Sequence, residues 1–329
     1  MDPVQADPWQ YRRRARLSVR NVPGKGRVLV GFREIGGRYV ADIERCDILD
    51  PVFSDRLMSL SELIGLLSIP DRIPQVEVAA GDDSAAIVLR HLEPLTDPDL
   101  QRLREWSDAN GIAVYLQPKG PDTVHRLHPD SHRLSYALES FDLEMDFHPQ
   151  HFIQINAGVN RQLIERAVDL MAPDSDTRVL DLFCGLGNFS LPLARRSGQV
   201  VGAELEPALV EAARANAARN GLDNAEFLAA DLMQPATEGA PWVRSGFDGV
   251  LVDPPRSGAA EILPLAVATG ATRLVYVSCD PATLARDAGT LVGEYGFRLE
   301  QAGVADMFPH TAHVESIALF TRTAEAAAG

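Results

Sequence analysis

Cys279 stands where an apolar, β-branched run, Arg273-Leu-Val-Tyr-Val-Ser278, gives way to Asp280 and Pro281. The run reads as a buried strand, and Asp-Pro reads as an N-cap followed by a first-turn proline that opens a helix. A thiol at that junction lies on the edge of an open α/β sheet where chemistry usually sits. The positive end of the following helix is expected to stabilise the thiolate and make it a better nucleophile. The competing expectation is a small buried thiol, the commonest fate of an intracellular cysteine.

A second constellation lies upstream, in Asp181-Leu-Phe-Cys-Gly185-Leu-Gly187-Asn188-Phe189. It follows one predicted strand and opens a helix. Gly185 and Gly187 let the backbone turn tightly and approach a ligand. Glu204 ends the next strand, where an acid binds both hydroxyls of a ribose. A dinucleotide and S-adenosylmethionine are the two candidates for the cofactor. Ser190 replaces the third glycine of a dinucleotide fingerprint, and Asp181 before the loop would repel a pyrophosphate but suit a cationic sulfonium or amino group. Asp231 follows the third strand, within reach of an adenine amino group, and Asp253 follows the fourth. Four acids at four successive strand ends favour S-adenosylmethionine over NAD.

The elements that must position these residues are legible from about Gln150. Helix 158–171, strand 178–183, helix 189–196, strand 199–204, helix 207–219 and strand 225–230 alternate. Strand 249–253, helix 259–268, strand 274–278, helix 281–294 and strands 298–305 and 315–321 follow. Repeated strand–helix units predict a doubly wound, mostly parallel sheet over 150–329. Residues 1–149 read as a smaller α+β domain. Its strands are 27–32, 76–80, 85–89 and 112–116, and its helices 57–67 and 98–110. His125, His128 and His132 are expected in a polar loop rather than around a metal. Beyond a short Ala-rich tail after Thr323, no repeat or low-complexity segment is present.

With 329 residues, 46% hydrophobic and 23% charged, the chain has the composition of a soluble globular protein with room for two cores. No apolar run approaches the roughly 20 residues that span a bilayer, and the N-terminus has no export pattern. Cys46, Cys184 and Cys279 are widely separated, which predicts a reducing, cytoplasmic setting without disulfides or a self-contained cysteine metal site. The net charge of −15 counts against a nonspecific nucleic-acid coat. Residues 1–45 nevertheless hold ten Arg and Lys against five acids. Their run Arg12-Arg13-Arg14-Ala15-Arg16 reads as a strand with one basic face, either a solvated surface or an RNA-facing patch, with Tyr11, Ala15, Leu17 and Val19 as its apolar residues.

Four segments carry a resemblance: Asp181–Phe189, Asp253-Pro-Pro-Arg-Ser-Gly258, Val277-Ser-Cys-Asp-Pro-Ala-Thr283 and Asp306-Met-Phe-Pro-His-Thr-Ala-His-Val-Glu315. With Pro8–Ser18 and Phe152–Gly158, they make the chain resemble RNA (uracil-5-)-methyltransferases over essentially its whole length, above all the bacterial branch acting on 23S ribosomal RNA. The resemblance implies a Rossmann-like S-adenosylmethionine-dependent domain preceded by an RNA-contacting one. It makes Cys279 the nucleophile and Glu315 the general base. It places Gln154, Phe183, Asn188, Glu204, Asp231 and Asp253 around the cofactor. The implied product is 5-methyluridine in structured RNA, through a covalent bond from Cys279 to C6.

Members of that branch usually carry an N-terminal β-barrel and four cysteines holding an iron–sulfur cluster. Cys46 matches the last of these ligands, and the other three would lie upstream of Met1. A lone thiolate cannot hold a cluster, so none is expected in this chain. The chain is expected to be either a fragment or a short homologue, with reduced RNA affinity or selectivity. The rival readings are a tRNA uracil-5-methyltransferase, an amino-group RNA methyltransferase suggested by Asp253-Pro-Pro255, a non-catalytic RNA-binding or assembly protein, and an NAD-type oxidoreductase.

Overall fold

The computed structural model describes residues 1–234 and 246–323, so the Ala-rich tail lies outside the described residues. Two compact units emerge. One comprises Asp7–Tyr136 and Asp146–Ile155, the other Met1–Ala6, Ala137–Met145 and Asn156–Gly329. The sequence reading set one boundary at 149/150, whereas the chain passes between the units several times.

The first unit contains β1 (Arg14–Val22), β2 (Arg27–Gly31), α1 (Pro51–Ser54), α2 (Leu57–Gly65), β3 (Gln75–Ala80), β4 (Ala85–Arg90), α3 (Asp97–Asn110), β5 (Ile112–Gln117) and β6 (His125–His128). Its sheet runs β2-β1-β3-β4-β5-β6 and is antiparallel except for the β4–β5 pair, which α3 connects. Leu17, Val76, Ile87, Leu89 and Val114 from the strands pack with Leu60, Ile64, Leu103 and Trp106 from the helices. Thr96 and Asp99 form a capping box that starts α3, and Gly111 in the left-handed region ends it. His125–His128, expected in a loop, instead pairs as an edge strand, and His128 Nε2 meets Asp108 Oδ1 at 2.6 Å.

The basic run needs a correction. Along β1 and the residues before it, Tyr11, Arg13, Ala15, Leu17 and Val19 share the buried face, while Arg16 and Arg20 face out. Side chains alternate along a strand, so Arg13 shares its parity with the apolar residues rather than with its basic neighbours. It is 4% exposed, donates from Nε to the Gln154 carbonyl at 2.9 Å, and lies 4.4 Å over the Tyr136 ring. Arg14 and Arg16 both approach Glu77, at 3.9 and 3.0 Å.

β7 (Leu134–Leu138) and β8 (Leu143–Phe147) form a two-stranded ribbon. The second unit continues with α4 (Ala157–Met171), β9 (Arg178–Leu182), α5 (Ser190–Ala194), β10 (Gln199–Glu204), α6 (Pro207–Arg219), β11 (Ala225–Ala229), β12 (Gly249–Val252), α7 (Leu263–Ala268), β13 (Arg273–Ser278), α8 (Pro281–Gly293), β14 (Arg298–Ala305) and β15 (Glu315–Thr321). The sheet order is β11-β10-β9-β12-β13-β15-β14. The first five strands are parallel, and β15 runs antiparallel between β13 and β14. The order reverses direction between β9 and β12, which opens a crevice at the carboxyl ends of the strands. Val250, Val252, Leu274 and Tyr276 are fully buried, as strands covered on both faces require.

Helix α7 begins four residues later than the sequence predicts. Gly258 adopts φ +85°, and the Ala259 N–H is taken by the Asp287 carboxylate, so the chain turns before Pro264 starts the helix. Among the described residues, no helix is long and apolar enough to cross a membrane.

The contrast between two adjacent arginines is testable by thermal unfolding. Arg13→Ala removes a buried, hydrogen-bonded cation and is expected to cost about 3 kcal/mol, lowering the midpoint by roughly 5–10 °C. Arg16→Ala is expected to change stability by less than about 0.5 kcal/mol. Equal effects would contradict the assignment of the two faces.

Candidate active site

The carboxyl edge of the second unit's sheet brings together side chains far apart in sequence. Ser278 pairs with Ser316 across β13 and β15. Cys279 directly follows β13 and Glu315 directly precedes Ser316, so both reach the same sheet edge, where the carboxylate acts on the thiol. Asp253 leaves the end of β12, its N–H still reaching the Leu182 carbonyl at 3.3 Å. Arg256 follows in the same loop, and its Nη2 lies 3.2 and 3.4 Å from the two ring nitrogens of His313.

The electrostatics of this cluster are set by burial and crowded negative charge. Glu315 is 4% exposed, and burial with the nearby Asp253 pushes its carboxyl up to about 8, Arg256 opposing. Asp253, half-buried as a residue, is pushed up to about 7 by desolvation. Cys279 is partly exposed. Burial, then Glu315 and Asp253, raise its thiol above the ordinary range, while Arg256 pulls it down.

This corrects the expectation that a helix terminus activates Cys279. Asp280 caps α8 through its own carboxylate, accepting from the Ala282 and Thr283 N–H groups at 2.9 and 3.2 Å. The free donors that would have favoured a thiolate are already satisfied by a negative charge. The cation that acts on the sulfur is Arg256.

The predicted cofactor residues occupy the adjoining loops. Phe183 has φ +65°, uncommon for a residue with a side chain, and Gly185 and Gly187 follow at +56° and +93°. A Cβ on Gly187 would meet Leu191 Cγ at 3.1 Å. Glu204 accepts from the Gly185 N–H at 3.1 Å and the Glu206 N–H at 3.0 Å. Asn188 exchanges hydrogen bonds with Asn160 at 3.0 and 3.1 Å, and Asn216 Nδ2 reaches the Leu186 carbonyl at 3.3 Å. Asp231 caps its own turn, accepting from the Met233 and Gln234 N–H groups.

Asp181 is fully buried beneath this loop rather than lining its rim. Ser190, at the place of the missing glycine, donates its hydroxyl to one carboxyl oxygen, and the other accepts no hydrogen bond among the described residues. Burial raises this group to about 7, with Asp253 and Glu204 adding to the effect. Gln154 belongs to the other compact unit, where it is buried and its carbonyl receives Arg13.

The donor set fits S-adenosylmethionine. Its glycine loop leaves room for close approach, Glu204 stands at a strand end, and the mutually repelling acids favour a cation over a pyrophosphate.

A network that the sequence reading missed fixes the loop carrying Asp253 and Arg256. Asp287 of α8, 1% exposed, accepts from the Tyr276 hydroxyl at 2.6 Å, the Ala259 N–H at 2.8 Å and Arg286 Nε at 2.8 Å. Arg286 Nη2 also holds the Ser257 carbonyl at 2.9 Å. Gly258 has no room for a side chain, since a Cβ would lie 2.4 Å from Arg286 Nη2 and 2.7 Å from Asp287 Oδ2. The signal was Tyr276 itself, because a tyrosine inside a buried strand needs a partner for its hydroxyl.

The fold and site define a Rossmann-like, S-adenosylmethionine-dependent methyltransferase. The chain belongs to the family described as tRNA (Uracil-5-)-methyltransferase, whose model matches residues 85–323. It is 56% identical over 324 residues to the 23S rRNA (uracil(1939)-C(5))-methyltransferase RlmD of Alkalilimnicola ehrlichii, covering 98% of this chain and 73% of that protein. To the protein of the same name from Xanthomonas campestris pv. campestris it is 51% identical over 316 residues, 96% and 71% of the two chains. The crystal structure of Pyrococcus abyssi tRNA (uracil-54, C5)-methyltransferase in complex with S-adenosyl-L-homocysteine superposes with a TM-score of 0.75 at 25% identity. It covers 97% of this chain and 78% of that one.

The loop tether predicts an order of effects. Tyr276→Phe removes one hydrogen bond, at a cost of about 1 kcal/mol. Asp287→Ala strands a buried hydroxyl, a backbone N–H and a guanidinium, and should cost about 3 kcal/mol or more. Methyl transfer should fall in the same order, as measured by thermal unfolding and turnover on the same preparations.

Proposed function

We propose that this chain transfers a methyl group to C5 of a uridine in 23S ribosomal RNA, through a transient bond from Cys279 to C6. The observation that carries the reading is the gathering of Cys279, Glu315, Asp253 and Arg256 at one sheet edge, close enough to act on one another's ionisation. The high identity to the two proteins named for 23S rRNA supports that RNA over transfer RNA.

The chemistry follows from what each side chain can do. Uracil C5 is a weak nucleophile. Addition of the Cys279 thiolate to C6 moves the ring π electrons toward C5 and O4. S-adenosylmethionine, when bound, supplies the electrophilic methyl on a sulfonium. Phe183, Gly185, Gly187, Asn188, Glu204 and Asp231 are the residues of this unit that would hold it, with Gln154 assigned by resemblance. Glu315 takes the proton from C5; the electrons of the C5–H bond restore the ring double bond and expel the thiolate. A carboxylate lifted to about 8 is a stronger base than an ordinary one, which suits a carbon acid. Asp253 and Arg256 hold the uracil edge or the adjoining backbone. The target base must leave its stack to reach this edge, which implies a looped or flipped uridine.

Cys279→Ala should abolish methylation and leave binding of S-adenosylhomocysteine nearly unchanged; unaltered turnover would end the covalent reading. Glu315→Gln should still add to C6 but release slowly, so a protein–RNA adduct should accumulate on denaturing gels. Comparing 5-methyluridine in 23S and transfer RNA from cells with and without the gene separates the two RNA substrates.

The pH dependence has a definite sign. The reactive forms of both groups are the deprotonated ones, and both groups are raised, so kcat/KM should climb from pH 6 toward pH 9. Arg256→Gln removes the cation that lowers both, and should move this limb further alkaline. Alkylation of Cys279 by iodoacetamide across the same pH range reads the thiol alone. An unmoved alkylation profile would show that Arg256 does not act on the sulfur.

A further inference from the structure

Within the first compact unit a groove of about 1120 Å³ opens between the outer face of β1, the 33–42 hairpin and the turn at Pro70–Arg72. That exceeds the roughly 300–1,000 Å³ of a small-molecule cleft and suits a chain-like ligand. Its lining sets Arg20, Lys25, Arg33, Arg38 and Arg72 beside Tyr39, against the three acids Glu34, Asp42 and Asp71. In a protein of net charge −15 such a concentration of cations is local.

The charge in the groove is not consumed by ion pairs. Lys25 pairs with Asp42, and Arg72 with Glu93. Arg20, Arg33 and Arg38 have no carboxylate partner among the described residues, and all three are exposed. Arg33 Nε reaches only the Ser18 hydroxyl, at 3.3 Å. Three unneutralised guanidiniums around one concavity are donors waiting for an anionic acceptor.

The hairpin that forms one wall adds an aromatic platform. Glu34 N–H bonds to the Tyr39 carbonyl and Ala41 N–H to the Phe32 carbonyl, which closes a turn with Gly36 at φ +69°. The turn holds Tyr39 63% exposed, with the Arg38 guanidinium 5.7 Å from the centre of its ring. An exposed ring flanked by free guanidiniums matches a stacking platform with a phosphate track, the arrangement that binds unpaired nucleotides. A duplex offers no free base face to stack, and an acidic peptide would not use the ring.

The geometry points to this groove as a binding site for a single-stranded segment of the RNA substrate, with Tyr39 stacking a base and Arg20, Arg33 and Arg38 taking phosphates. The inference rests on the RNA-directed reading above and adds a contact surface remote in sequence from the catalytic residues.

The test is fluorescence anisotropy of the full chain with a single-stranded RNA of about 12 nucleotides, without methyl donor, across a salt series. The triple variant Arg20→Gln, Arg33→Gln, Arg38→Gln should bind roughly tenfold or more weakly, and its salt slope should flatten by about 2. Tyr39→Ala should lose about tenfold. A 4-thiouridine probe should cross-link to residues 33–40. If the triple variant melts early, Arg38→Gln and Tyr39→Ala alone carry the comparison, since both side chains are exposed. Unchanged affinity and slope, or cross-links falling elsewhere, overturn the proposal. Because binding is read without turnover, the two readings separate. A wild-type chain that binds RNA here but methylates no uridine sinks the function and spares the groove.

Discussion

A carboxyl group held away from water resists ionisation, and one edge of the seven-stranded sheet gathers several such groups. Asp181 and Asp253 are lifted to about 7 and Glu315 to about 8, in each case first by burial. Asp253 adds to the lift of both other acids and of the Cys279 thiol. Charge on Asp253 makes the other three harder to ionise, and Arg256 relieves two of them. Such an edge is short of positive charge, and a sulfonium donor supplies it where a pyrophosphate would worsen the deficit. Choice of cofactor, the raised Glu315 carboxyl and the reluctance of the Cys279 thiol to ionise thus share one cause.

What concentrates the groups is the reversed final strand. Five parallel strands deliver their carboxyl ends to the crevice, so the residues that follow them, Asp181 apart, are the natural site-formers. β15 enters from the opposite direction and contributes its first residue to the same edge. It is paired on both flanks, with β13 from Ser316 onward on one side and with β14, including Glu315, on the other. Glu315 is therefore held by ladder hydrogen bonds rather than by a free loop, and a one-residue slip would turn it to the other face. The backbone position of this carboxylate is thus set by sheet register.

The alternation of strands and helices after residue 150 was legible because parallel strands covered on both faces are apolar throughout and bounded by caps. The element bounds from β9 to β15 follow the sequence reading closely, α5 and α7 being the shorter exceptions. Three features were not legible, each because it depends on partners distant in sequence. The meeting of Cys279 and Glu315 at one edge needs the pairing of β13 with β15, which no local pattern encodes. Arg13 was grouped with its basic neighbours by type, although strand parity assigned it to the core with Leu17. Asp287 reads as one more helical acid until Tyr276, Ala259 and Arg286 converge on it. The helix-terminus argument for Cys279 failed for a related reason: the capping aspartate that marks the helix start also consumes its free donors.

The chain offers an internal comparison that isolates what makes a thiol usable. Cys184 and Cys279 both follow parallel strands of the same sheet, and both lie near carboxylates. Cys184 is 4% exposed and lifted well above the ordinary thiol range by burial, with Asp181 and Glu204 adding to it. Among the described residues, no cation opposes that lift. Its sulfur packs where a Cβ on Gly202 would approach to 2.9 Å, in closely filled space. Cys279 is partly exposed and has Arg256 pulling its thiol back down. Strand-end position is common to both sulfurs and so cannot be the cause. Access and a nearby guanidinium distinguish them, and the loop that carries that guanidinium is tethered by the buried network around Asp287.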